Sequence, residues 1–322
     1  MRREPGLRLT DAMPEWEPLD AALEERDVEF PAHDGYVIAG TLYRRIDALD
    51  PADVVLFNAG GGLAIRRYRH FLRYLASEGF PVLAYDYRGV GSNRPTRLRG
   101  FDAGLEDWAE FDHAGAIDDI RTRYPNARLT TISHSIGGLV SCSVPNGADQ
   151  GRIVLIAPHT GYWRDYQTAW KVPMTLMWHG LMPLVSRIVG YFPGSRVGLG
   201  DDFPLRFALQ WSSRTAAEFQ VDTRDARVWT LLGNAEVLMS PVLVVSFSDD
   251  AFASRAGVSR LLSLIPRAPV ERCELDARRL ARRIGHFGFF SRRNQALWSM
   301  IPHLLERMPA RDSPYDAHAG FD

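Results

Sequence analysis

The stretch Leu129-Thr-Thr-Ile-Ser-His-Ser-Ile-Gly-Gly138 decides the fold of this chain. Its β-branched half, Leu129–Ile132, reads as a buried strand, and Ser133–Gly138 follow with no spacer. A strand that turns at once into a helix with a serine at the apex makes a nucleophile elbow. The apex backbone is strained, so small residues are needed two positions before and two after it. Ser133 and Gly137 hold those places, with Ser133 standing where glycine is usual. The spacing alone is a common coincidence. The strand before it, the helix after it and the residues downstream give it weight.

Two downstream segments complete the chemistry. Pro241–Asp250 is an apolar strand ending in the carboxylates Asp249 and Asp250, and Ile284-Gly-His-Phe-Gly-Phe289 is a loop that sets His286 between glycines. A serine hydroxyl is a weak nucleophile until an imidazole takes its proton, and the imidazole needs a carboxylate to fix its tautomer. Ser135 is therefore assigned as nucleophile, His286 as general base and then acid, and Asp250 as the orienting carboxylate, with Asp249 its rival. Acyl transfer also needs donors for an oxyanion. The backbone N–H of Ile136 is one, and the glycine loop Asn58-Ala-Gly-Gly-Gly-Leu63 offers Gly60 and Gly61 as candidates for the other.

Working outward, Val28–Phe30, a turn at Asp34-Gly35 and Tyr36–Tyr43 predict a hairpin. Short apolar or β-rich runs at Val54–Asn58, Pro81–Asp86, Leu129–Ile132, Arg152–Ala157, Pro241–Ser246 and Val270–Leu275 predict strands buried on both faces. Between them, Trp108, Phe111, Ala114, Ile117, Ile120 and Tyr124 recur at helical spacing, as do Tyr68–Leu75 and the series Leu297, Ile301, Leu304, Met308. Strand–helix alternation predicts an α/β class, a doubly wound, mostly parallel sheet, with function at the carboxyl ends of the strands. The core is expected in residues 1–160 and 237–310, after a loosely packed lead-in to about Glu25, with a mobile tail at 311–322. The interval 161–236 shows no clear strand and is crowded with Trp163, Tyr166, Trp170, Met174, Trp178, Phe207 and Trp211. It reads as a helical cap inserted before the strand that bears the acid, most of its aromatics packing and a few lining an apolar pocket.

Composition narrows the function. Among 322 residues, 38 basic and 39 acidic side chains leave a net charge of −1, which gives no support for nucleic acid or an anionic surface as partner. Lys171 is the only lysine, so Schiff-base chemistry would rest on one residue of the cap. Cys142 and Cys273 read as buried free thiols. His113, His159, His179 and His303 do not fall at metal-ligand spacing, and no metal or cofactor is expected. Gly89-Val-Gly91 lacks the third glycine of a dinucleotide fingerprint, and no Gly-Lys-Ser/Thr follows the glycine loop. His134 reads as structural. No signal peptide or membrane-length apolar run is visible, so a cytoplasmic protein is expected, of open oligomeric state.

Taken together, the chain resembles the α/β-hydrolase superfamily. The resemblance rests on Val28–Tyr43, Asp86–Ser92, His134–Gly138, Pro241–Asp250 and Gly285–Gly288, and on the order Ser, Asp, His along the chain. It is more similar still to a bacterial group of α/β-hydrolases related to the serine aminopeptidase-like branch, through Tyr85–Gly91, Tyr191–Gly194 with Leu199–Asp201, and Ile284–Phe289. The resemblance implies the triad and cap named above, and favours Asp250 because Ala-Phe-Ala-Ser follows it. Departures are Ser133 for glycine, Asn58-Ala59 for the usual His-Gly, and Ala251 and Ser254 where prolines are frequent. The expected function is hydrolysis of an ester, thioester or amide with an apolar part through an acyl-enzyme at Ser135. The alternatives are acyl transfer on the same triad and a non-catalytic receptor or scaffold of the same fold.

Overall fold

The structure is a computed structural model that describes residues 22–47, 50–213 and 226–308. Its strands are β1 (Leu23–Pro31), β2 (Val37–Arg45), β3 (Asp53–Asn58), β4 (Val82–Tyr85), β5 (Arg128–His134), β6 (Arg152–Ile156), β7 (Tyr191–Phe192), β8 (Phe203–Pro204), β9 (Val242–Phe247) and β10 (Val270–Leu275). Eight of them form one sheet in the order β1-β2-β4-β3-β5-β6-β9-β10. β1, β2 and β4 pair antiparallel, and every pairing from β4 to β10 is parallel.

Parallel strands need helical crossovers, and these cover both faces of the sheet. The helices are α1 (Arg69–Ser77), α2 (Leu105–Asp107), α3 (Ala114–Arg123), α4 (Gly137–Ser143), α5 (Thr168–Thr175), α6 (Met182–Val189), α7 (Leu205–Ser212), α8 (Ala226–Glu236), α9 (Arg255–Leu262) and α10 (Met300–Arg307). A π turn over Trp108–His113 joins α2 to α3 in one helical run. Alternation along β3 and β6 feeds two cores. Val54, Leu56, Ile153 and Leu155 pack with Trp108, Ile117 and Val140, while Val55, Phe57, Val154 and Ile156 pack with Phe71, Leu72, Ile301 and Leu304. A strand apolar at every position is stable only between two such layers.

The structure corrects four expectations. β10 is not buried on both faces: Val270, Glu271, Arg272 and Glu274 are exposed, because this outermost strand has a neighbour on one side only. β1 begins at Leu23, inside the expected lead-in, where Glu25 joins the sheet edge to α1 through ion pairs with Arg69 and Arg73. The interval after β6 is not free of strands, since β7 and β8 form a two-residue antiparallel ribbon. Leu297 belongs to a 3-10 turn ahead of α10. Most of the lead-in and the tail 311–322 lie outside the described residues. Cys142 and Cys273 are buried and free. Among the described residues, no helix is long and apolar enough to cross a membrane.

Candidate active site

Ser135 follows β5 with φ of 57°, a left-handed conformation that non-glycine residues seldom adopt. The turn is held by the Ser135 N–H donating to Ile156 O at 3.0 Å and by the Gly138 N–H donating to Ser135 O at 3.1 Å. Gly137 is required sterically, because a Cβ there would stand 2.5 Å from Ala59 O. Ser133 is tolerated for a different reason. Its hydroxyl is buried and donates to Ser141 Oγ, which donates to Gly137 O at 3.0 Å and accepts from Asn58 Nδ2 at 2.8 Å. Ser133 and Asn58, two of the departures in the sequence, thus meet on one hydroxyl. Asn58 Oδ1 accepts from Tyr85 Oη at 2.8 Å, and its amide also faces the His113 ring. Burial holds His113 far below the ordinary imidazole range, at about 3, so it is a neutral member of this network.

Three residues distant in sequence converge at the elbow. His286 Nε2 lies 2.9 Å from Ser135 Oγ, and His286 Nδ1 lies 2.8 Å from Asp250 Oδ2. Burial alone would raise the Asp250 carboxyl, but His286 and the N–H groups of Ala253 and Phe252 outweigh it and hold the group below its ordinary value. An ionised Asp250 keeps the proton on His286 Nδ1 and leaves the Nε2 lone pair facing the serine. Asp249 makes other contacts. It accepts from the Ile284 and Gly285 N–H groups at 3.0 and 2.9 Å, and so anchors the loop that presents His286. Phe252 stacks on the His286 ring at 4.9 Å between centroids.

The glycine loop after β3 flanks the serine on one side. Among its two candidate glycines, Gly60 is already engaged: its N–H donates to Tyr68 Oη at 3.0 Å, which removes it as a free donor. The N–H groups of Gly61 and Ile136 have no acceptor among the described residues. A Cβ on Gly61 would lie 3.0 Å from Ile136 Cγ2, so Gly61 packs directly against that side chain. The Gly60 contact begins a relay. Tyr68 Oη donates to His134 Nδ1 at 2.8 Å, and His134 Nε2 donates to the His286 carbonyl at 2.9 Å. His134 therefore braces the glycine loop against the histidine loop. Burial and the nearby His286 keep its ring well below the ordinary range.

One participant escaped the sequence reading. His159, from the loop after β6, puts its Nε2 3.1 Å from Ser135 Oγ. The available signal was positional: His159 follows a buried strand at the functional edge of the sheet, as Ser135 and Asp250 do. Ser135, His159 and His286 open into a cavity of about 270 Å³ lined by Leu63, Trp178, Leu199, Trp211, Phe252 and Phe287. Trp178 and Trp211 come from the interval between β6 and β9. Arg67 also lines the cavity, with its Nε 3.7 Å from Asp201. Among the described residues, no three His, Cys, Asp or Glu side chains group as a metal site.

The fold and the convergence at the end of β5 define the class as an α/β-hydrolase. A sequence model of the family described as serine aminopeptidase, S33, matches residues 50–276, and the chain belongs to that family. Solved structures share the fold at low identity. An esterase of Pyrococcus furiosus superposes with a TM-score of 0.55 at 16% identity, over 95% of this chain and 100% of its own. The esterase domain of a Rhodothermus marinus protein gives 0.54 at 16% identity, over 88% and 99%. An acylaminoacyl peptidase of Pyrococcus horikoshii gives 0.56 at 15% identity, over 95% of this chain and 44% of its own. No curated protein matches the chain in sequence.

Proposed function

We propose that the chain is a serine hydrolase that cleaves a carboxylic ester, or the corresponding thioester or amide, with an apolar acyl or alcohol part. The observation that carries this reading is the contact chain Ser135 Oγ, His286, Asp250 at a serine of positive φ. In the forward step the Ser135 proton passes to His286 Nε2 while Oγ bonds the carbonyl carbon, whose π pair moves onto oxygen. The Ile136 and Gly61 N–H groups receive that oxyanion. The pair returns, the bond to the leaving group breaks, and His286 gives that group its proton. Water then repeats the sequence on the acyl-enzyme and releases acid and serine. Protein groups and water complete the balance.

The substrate class follows from the cavity. Its walls are mostly aromatic and aliphatic, and about 270 Å³ lies at the small end of ligand pockets. Among the described lining residues no carboxylate is placed to hold an α-ammonium group, and Arg67 is the charged one, which favours an ester over a free amino-terminal peptide. The interval 161–236 serves as the cap, supplying Trp178, Leu199 and Trp211 to that wall.

A fluorophosphonate probe tests the reading by intact mass. One adduct on the wild type and none on Ser135→Ala is expected, with turnover of p-nitrophenyl esters down by about 10⁶ in the variant. An unlabelled, folded wild type would overturn it.

A further inference from the structure

We infer that His159 is a second catalytic histidine, a fixed hydrogen-bond donor to Ser135 Oγ that works beside His286. The inference rests on the serine-hydrolase reading above and adds to it a role for a second ring at the nucleophile, its centroid 5.2 Å from that of His286.

Hydrogen-bond partners decide the tautomer of each ring. The Gly161 N–H donates to His159 Nδ1 at 3.0 Å, so that nitrogen keeps its lone pair and the neutral ring carries its proton on Nε2. That N–H points at Ser135 Oγ, 3.1 Å away. His286 has the reverse arrangement, with Nδ1–H on Asp250 and a bare Nε2 2.9 Å from the same oxygen. Ser135 Oγ therefore accepts from His159 and donates to His286. With an N–H on one side, its proton has one ring nitrogen to go to.

Topology sets the division of labour. The sheet order β3-β5-β6 puts the glycine loop on one side of Ser135 and His159 on the other. With the oxyanion assigned to the Gly61 side, His159 is left to the nucleophile. It serves the other oxygen that changes charge, Oγ itself. As the proton leaves for His286, negative charge builds on Oγ until the bond to carbon forms, and the His159 N–H stabilises it. In the second half Oγ is the leaving atom, and the same donor supports its departure while His286 returns the proton. His159 gives up no proton in either half. The backbone shows what holds it there. Ala157, two residues earlier, has φ of 50°, an unusual conformation for alanine, pinned by its N–H donating to Val245 O at 2.8 Å. The ring is buried, with Trp211 edge-on at 5.8 Å and the His286 ring at 5.2 Å.

The test uses the full chain with His159→Phe, which keeps a flat ring and loses the donor, and His159→Gln, which restores an N–H. The readouts are the rate of fluorophosphonate labelling at Ser135, and kcat and KM on a p-nitrophenyl ester. His159→Phe should label the same serine on the order of 10² more slowly, with kcat falling in proportion and KM little changed. His159→Gln should recover most of that loss. A long-range ¹⁵N spectrum of the wild-type imidazoles should show His159 protonated on Nε2 and His286 on Nδ1. Wild-type rates in His159→Phe, equal losses in both variants, or a His159 proton on Nδ1 would each overturn the inference alone. A wild type that takes no label at Ser135 would overturn the hydrolase reading and this inference with it.

Discussion

Ser135 stands between two loops that end neighbouring strands, and they approach it by different means. The loop after β3 brings backbone: its glycines let the chain pass so close that a Cβ on Gly61 would meet Ile136 Cγ2 at 3.0 Å. The loop after β6 brings a side chain, aimed by a strained alanine and locked by one backbone amide. A job done by backbone needs residues without side chains, so it marks the sequence with a run of glycines. A job done by a lone histidine needs one residue and a direction, and the direction comes from the neighbouring strand. The first kind of site is visible locally. The second is visible only when the sheet is assembled.

Substitutions can break or sharpen this contrast. The largest loss, about 10⁶ in turnover, is expected for Ser135→Ala, which removes the atom that both loops serve. Next comes Asp250→Asn, expected to cost about 10⁴ in kcat by presenting His286 with the wrong tautomer. Asp249→Asn should cost far less, since that carboxylate holds loop amides and does not touch the ring. Steady-state kinetics of the pair decides between them, and a reversed ranking would move the acid to Asp249.

On the backbone side, Gly61→Ala puts a Cβ 2.9 Å from Phe207 Cζ and 3.0 Å from Ile136 Cγ2. The shift it forces should cost about 10² in kcat with the thermal midpoint nearly unchanged. Full activity in that variant would mean the glycine loop is spacing alone, and the contrast with His159 would fall. Behind this loop, Ser141→Ala leaves the buried Asn58 amide and Ser133 hydroxyl short of a partner. It should cost about 1–3 kcal/mol of stability by denaturant unfolding while kcat changes little.

The smallest effect concerns acid. Burial holds His113 at about 3 in the folded chain against an ordinary 6.5, so between those pH values the unfolded chain binds a proton that the folded chain refuses. Its contribution is whole above the unfolded value and is lost progressively as pH falls toward the folded one. His113→Gln should therefore lose stability near neutral pH, and the gap to wild type should narrow as the pH drops toward 4.5. Melting curves across that range check it, and a constant gap would show that His113 titrates normally.

Much of this molecule was legible before folding. The apolar runs at 54–58, 129–132 and 241–246 can be satisfied only between two covered layers, and that requirement implies the parallel sheet. The serine between small residues implies the strained turn, because few other backbones would need Gly137. The order of serine, acid and histidine then follows the ends of successive strands. β10 differs from the inner strands in carrying Glu271, Arg272 and Glu274, the charges that its exposed position at the sheet edge tolerates. The ribbon Tyr191–Phe192 with Phe203–Pro204 is too short to leave a period.

The class of fold and the apex serine can be read from the chain alone, since both rest on patterns within a few residues. Which groups meet that serine depends on the folded arrangement. It alone brought His159 to Oγ, gave Gly60 to Tyr68, set Asp250 on His286 and left Asp249 on the loop, and joined Ser133 to Asn58 through Ser141. These choices turn on separations of about 3 Å between atoms that chain order leaves 8 to 151 residues apart, and hydrogen-bond direction has no counterpart in local composition.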